Sequence, residues 1–414
     1  MDLFDKIKRN FGPLGNYRQA AEGYYMFPKL EGDIANRMRF NGEEHIVWSV
    51  NNYLGLANHP EVREADVEGA RDWGLAAPMG ARMMSGNTSR HEQLEQELAE
   101  FENKESAVLV NYGYQGIMSA IDSLVGRHDA VVYDSECHAC IMDALRMHLG
   151  KSFAYRHNDI EHCERQIQRA EKWMAQHPDA SLLVISEGVF GMKGDQGKLR
   201  ELVGLKNKYA FRLLVDDAHG FGVLGETGAG AGEAQGVQDH IDVYFSTFAK
   251  SMASIGAFLA GDKMVIDYLR YNMRSQIFAK SLPLPFVEGN LVRLRLLREK
   301  AELRQKLWEN VHALQSGLRD SGFEIGETNS CVTPVFLKGS VEEAMALVKD
   351  LRENHRVFCS IVIYPVIPKG EMILRLIPTA THTATDISES IAAFKEVRKK
   401  LDQGVYHAAA HPAS

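Results

Sequence analysis

The sequence predicts an α/β protein: a large domain with a mainly parallel sheet covered by helices, and a smaller C-terminal α+β domain. Three observations predict it. Short apolar runs of strand length alternate with helical patterns over most of the chain. Those runs are apolar throughout rather than alternating, as strands buried on both faces are. At 414 residues the chain is too long for one small core.

The elements follow in order. Residues 1–45 mix short apolar pieces with Gly, Pro and Asn and read as an N-terminal arm, with Tyr24-Tyr-Met-Phe27 packing on another part. A large domain is expected over 46–290. It opens with the strand Ile46–Val50 and the loop Asn51-Asn-Tyr-Leu-Gly. Ser89 with Glu92 reads as a capping box opening a helix that carries Leu94, Leu98 and Phe101. Strands are expected at Ser106–Val110, Ala130–Tyr133, Leu182–Ile185, Arg212–Asp216 and Val243–Phe245, with more buried strand to Gly261. Residues 263–320 are strongly helical and interrupted by Pro283 and Pro285. The α+β domain spans 291–402, with strands 332–337, 357–364 and 372–377 and helices 341–354 and 385–401. The tail 403–414 reads as disordered.

Composition excludes several classes. Apolar content of 45% and charged content of 25% are those of a soluble globular protein. A net charge of −8 and a pI near 6.1 advertise no face for nucleic acid. No apolar run reaches membrane-spanning length, and the first residues lack a signal-peptide pattern. Five cysteines fit a reducing, cytoplasmic setting rather than a disulfide scaffold. Cys137 and Cys140 have metal spacing, but no second pair completes a site, so no metal is expected.

Lys250 is the centre of the chemistry. It follows Val243-Tyr-Phe-Ser-Thr247 and precedes small residues and Gly256. A lysine between apolar runs is desolvated, and a desolvated amine attacks carbonyls to form a Schiff base. Asp216, Asp217 and His219 end an apolar strand, at the edge of a parallel sheet where ligands bind. His138 follows another strand. Gly113 opens a helix whose amides suit a phosphate. A lysine, a carboxylate, two imidazoles and an anion-binding helix start on one rim meet the needs of pyridoxal 5′-phosphate.

The same residues sit in motifs that resemble the α-oxoamine synthases, pyridoxal-phosphate enzymes of fold type I. The motifs are Asn51-Asn-Tyr-Leu-Gly-Leu, Gly86-Asn-Thr, Tyr112-Gly-Tyr-Gln, His138-Ala-Cys-Ile-Met-Asp143, Glu187-Gly-Val-Phe-Gly-Met-Lys-Gly-Asp195, Val215-Asp-Asp-Ala-His219, Thr247-Phe-Ala-Lys-Ser251, Leu374-Arg375 and Thr381-His-Thr383. The resemblance implies that Lys250 carries the cofactor and moves the substrate proton. It implies that Asp216 pairs with the pyridine nitrogen, that His219 bonds the ring's phenolic oxygen, and that His138 stacks on the ring. Gly113, Tyr114 and Thr247 are implied to bind the phosphate, with Ser281 reaching the phosphate of the partner in a homodimer with shared active sites. Asn51, Arg375 and Arg82 fall on the substrate side.

The implied reaction joins a small amino acid to an acyl thioester, on coenzyme A or acyl carrier protein, with loss of carbon dioxide. The lysine loop, Asn272-Met-Arg-Ser-Gln-Ile-Phe278 and Ala380-Thr-His-Thr383 look most like bacterial serine palmitoyltransferases, which implies L-serine and a long-chain acyl group. Two departures count against plain serine: Ala81 and Gly191 stand where the family often has serine. The alternatives are a cysteate fatty acyltransferase of sulfonolipid synthesis, a glycine C-acetyltransferase and an 8-amino-7-oxononanoate synthase. A catalytically silent partner subunit is the alternative of another class, and Lys250 speaks against it.

Overall fold

The parallel sheet forms because its strands carry side chains that cannot face water on either side. In the computed structural model, which describes residues 2–410, the chain packs into two compact units. One comprises residues 54–191 and 195–304, the other residues 1–53, 192–194 and 305–414.

The first unit is built on seven strands: β1 (Ser106–Val110), β2 (Ala130–Asp134), β3 (Lys151–Tyr155), β4 (Leu182–Glu187), β5 (Arg212–Asp216), β6 (Val243–Thr247) and β7 (Ala257–Gly261). Their order is β1-β7-β6-β5-β4-β2-β3. Strand β7 runs antiparallel to both neighbours; every other pairing is parallel. All residues of β4, β6 and β7 are buried. Ile117 and Ile121 of the helix Gly113–Leu124 pack on Val108, Val131, Ile185 and Phe245. Strand β3, absent from the sequence reading, is an edge strand with Lys151 and Ala154 exposed, and its pattern is too polar to announce a buried strand.

The second unit holds two sheets. Glu43–Val47 pairs with Arg37–Phe40 and, in parallel, with Val357–Phe358. Met372–Leu376 lies between Thr333–Leu337 and Ser360–Val362, antiparallel to both. The single strand expected over 357–364 is therefore two short strands serving different sheets. A run of apolar residues does not reveal which sheet each part joins. The helices Val341–His355 and Ala384–Asp402 bury Leu347, Leu351, Phe394 and Val397 in a core with Trp48 and Leu374.

Other expectations change. Residues 1–53 are part of this second unit, where Tyr24 and Tyr25 flank the Arg352 guanidinium. The chain passes from the first unit to the second at 304–305, inside the helix Ala301–Asp320, rather than near 290, which lies inside Leu284–Glu299. The helix Ser89–Phe101 is capped by Thr88, whose hydroxyl accepts from the His91 amide, so Ser89 is its first residue and the capping box is not formed. Where a disordered tail was expected, Val405–Ala410 is helical and buries Tyr406 against Asp350; residues 411–414 lie outside the described residues. All five cysteines are buried, and none is in a disulfide. Among the described residues no helix is long and apolar enough to cross a membrane.

Candidate active site

Strands β1, β6, β5, β4 and β2 run the same way, so their C-terminal ends share one rim. Parallel sheets place ligands there because helix N-termini and loops converge on that edge. The rim carries Asp134 from β2, Glu187 from β4, Asp216 from β5 and Thr247 from β6. Lys250 lies in the tight connection between β6 and β7 and is partly buried rather than fully dry.

Lys250, Asp216 and His138 are close enough to sense one another's charge. Asp216 is 5% exposed, and its Oδ1 accepts from the Ala218 amide at 3.1 Å. Burial raises its pKa, against the pull of Lys250 and His138. His138 caps the helix Ala139–Met147, with Nδ1 3.3 Å from the Cys140 amide nitrogen. The residue as a whole is exposed, yet enough protein surrounds the imidazole to lower its pKa; desolvation leads, Lys250 adds and Asp216 opposes. Its own amide donates to Glu187, which fixes the histidine over the end of β4.

Asp216 and Asp217 are adjacent but not equivalent. The Asp217 carboxylate accepts from the Ala231 amide at 2.7 Å and the Tyr244 hydroxyl at 3.1 Å. Gly188, Gly220 and Gly230 close around it, and a Cβ at any of the three would overlap its oxygens. Asp217 braces the sheet, which leaves Asp216 as the acid beside the lysine.

Gly113 opens the helix Gly113–Leu124 with no side-chain cap from Tyr112. First-turn amides without an internal partner form an anion cradle. A Cβ on Gly113 would lie 3.2 Å from Thr247 Oγ1, so glycine keeps that cradle open beside a hydroxyl. Tyr114 is exposed, its hydroxyl donates to Asp143, and its ring meets His138 edge-on at 6.0 Å. His219 is 6% exposed, and a Cβ on Gly191 would fall on its Nε2. The serine expected at 191 from related sequences would thus move His219.

The remaining sequence-assigned residues fall elsewhere. Ser281 donates through Oγ to the Gly80 carbonyl at 3.0 Å, within its own chain. The Arg82 guanidinium forks onto Glu95 at 2.8 and 3.0 Å and donates to Asn87, so it is already partnered within the chain. In the second unit, Arg375 projects from Met372–Leu376 and donates to Asn51 Oδ1 at 3.4 Å. Two rim residues had no role in the sequence reading. Glu187 was quoted only as part of a motif, and His157, between two carboxylates, left no periodic signal at all.

Pyridoxal 5′-phosphate fits what the first unit holds. An amine, a buried carboxylate able to face a cationic ring nitrogen, and a glycine-lined amide cradle with a hydroxyl lie at one rim, and the cradle is one a Cβ would narrow.

Comparisons with known proteins agree. Residues 43–394 match the family model described as aminotransferase class I and II. The chain is 59% identical over 407 residues to a cysteate-C-fatty acyltransferase of Capnocytophaga ochracea, covering 98% of this chain and 97% of the relative. It is 34% identical over 379 residues to a serine palmitoyltransferase of Bacteriovorax stolpii, covering 92% of this chain and 88% of the relative. A solved serine palmitoyltransferase from S. paucimobilis with bound PLP superposes with a TM-score of 0.89 at 28% identity, over 97% of this chain and all of that one. With so much of its length matched, the chain belongs to the aminotransferase class I and II family, as an acyltransferase of the α-oxoamine synthase kind that works with pyridoxal 5′-phosphate.

Proposed function

We propose that the chain condenses cysteate with a fatty acyl thioester, releasing thiol and carbon dioxide and leaving a sulfonated amino ketone. The observation that carries this is the 59% identity over almost the whole chain to a protein named for that activity, against 34% to a serine palmitoyltransferase. That margin reverses the order in which the sequence motifs put serine ahead of cysteate. The absence of a serine hydroxyl at Ala81 and Gly191 points the same way.

When bound, the cofactor supplies an electron sink for charge developing at the substrate's α-carbon. The chain's own groups do the rest. Lys250 Nζ holds the cofactor, then takes the α-proton and returns it; an amine within electrostatic reach of Asp216 suits both tasks. Asp216 keeps the ring nitrogen protonated. His219 donates to the ring oxygen, and His138 covers the ring face. The amides of Gly113 and Tyr114, with Thr247 Oγ1, take the phosphate. Arg375 and Asn51 take an acid group of the substrate, for which a planar guanidinium is the natural partner. Cysteate carries two such groups, a carboxylate and a sulfonate. A homodimer with Ser281 serving the neighbouring subunit remains part of the proposal.

A thiol-release assay tests it. Cysteate, serine, glycine and alanine are crossed with palmitoyl, pimeloyl and acetyl thioesters. Turnover should be fastest with cysteate and the palmitoyl donor. Faster release with serine would replace the substrate, and release confined to glycine with acetyl thioester would replace the chain length as well.

A further inference from the structure

We infer that His157 is a positioning residue for the active site: an imidazolium clamp that ties the turn carrying Gly191 to the end of β2. His157 Nδ1 lies 3.0 Å from Asp134 Oδ1, and Nε2 lies 2.7 Å from Asp195 Oδ2. An ionised carboxylate only accepts, so both ring nitrogens must donate, and a ring that donates twice is cationic. Asn158 completes the clamp. Its amide donates to Asp134 Oδ2 at 2.9 Å, and its side chain donates to Asp195 Oδ2 at 2.8 Å.

The clamp acts on a defined piece of chain. Val189 and Gln196 bridge, and the Phe190 amide donates to the Asp195 carbonyl at 2.9 Å, so Asp195 closes the turn. The Phe190 ring meets His157 edge-on at 4.4 Å. Gly191 follows Phe190 and is seated against His219 Nε2 with no room for a Cβ. The path therefore runs from Asp134 through His157 and Asp195 to Gly191 and His219. Asp134 is fully buried, so the far end of the clamp is anchored in the sheet. Asp134 and Asp195 are the charged groups acting on His157, and together they overcome the desolvation of its ring. The inference rests on the proposed contact of His219 with the cofactor, but not on which amino acid is the substrate.

The first test uses wild-type protein. Nitrogen-15 NMR of labelled histidines should show His157 with both ring nitrogens protonated from pH 6 to 9; a neutral ring at pH 7 overturns the inference. The second uses His157→Gln and Asp195→Asn in the cofactor-loaded enzyme. Each should shift the pH midpoint of the cofactor's visible absorbance by about one unit and raise the KM of whichever amino acid turns over by about tenfold, with kcat within about twofold. The double variant should lose little more than either single one. A lower melting temperature with an unchanged absorbance titration and unchanged KM would reduce His157 to a structural group and overturn the inference. Should His157→Gln fail to fold, the NMR result and Asp195→Asn decide.

Discussion

Two sets of buried acids in this molecule behave in opposite ways. In the second unit, Asp386 is 1% exposed and Asp350 is 8% exposed. Burial alone would push both pKa values up, yet both are lowered. Asp386 accepts from Arg37 Nε and Asn36 Nδ2, each at 2.7 Å, and caps a helix with Thr383. Asp350 accepts from Lys400, Asn354 and Tyr406. At the rim of the parallel sheet, Glu187, Asp216 and Asp217 are equally buried, and burial raises all three, Asp217 to about 7. The difference lies in partners rather than depth. Asp350 and Asp386 are matched by cations and donors of the chain itself. Asp217 braces the sheet with neutral donors alone, and Glu187 and Asp216 at the rim have less positive charge around them than their burial demands, as a site for a cationic ligand would.

The contrast can be broken or sharpened by experiment. Lys250→Ala should remove the borohydride-bleachable yellow colour and cut thiol release by about 10³-fold or more, while the far-ultraviolet circular dichroism stays unchanged. Undiminished turnover would end the assignment of the rim. Asp216→Asn should retain the cofactor but lower kcat by about 10²-fold, because the carboxylate supports charge that develops only during reaction. An equal loss in Asp217→Asn would erase the distinction drawn between the two neighbours. On the other side, Asp386→Ala should cost about 2 kcal/mol in denaturant unfolding through the lost cap and ion pair, with turnover of the folded enzyme within about twofold.

The smallest effect is in pH. A carboxyl whose folded pKa is raised binds more protons folded than unfolded, so its contribution to stability falls as pH rises from near 4 towards the folded value. For Asp217 that window runs from about 4 to about 7. Asp350 and Asp386 work the other way: their contribution is present above the unfolded pKa and is lost as pH falls through the lowered folded one. His157, raised to about 10 because Asp134 and Asp195 outweigh the desolvation of its ring, contributes fully below about 6.5 and loses that contribution as pH rises through 10. Melting of cofactor-free protein from pH 2 to 10 should show these opposed slopes.

The rim was legible from sequence because each of its residues follows an apolar strand, and parallel strands must end on a common edge. Lys250, Asp216 and the Gly113 turn could be placed there with no coordinates. His157 and Glu187 could not. Their roles depend on which strand ends become neighbours, and the chain order β4, β5, β6 does not say that β2 lies beside β4. The partner of Arg82 was hidden for a related reason. An arginine in a loop of small residues does not announce that an acid thirteen residues on, Glu95, will pair with it.

Local patterns by themselves determined the α/β class, the strand ends that carry chemistry and the amine at their centre, since burial and periodicity are written residue by residue. Only the folded chain decided which acids acquire a partner, which sheet each half of 357–364 joins, and how the first 53 residues group with the last 110. Those are matters of distance between segments far apart in sequence, and the free energy of a buried charge depends on that distance more than on the residue's identity.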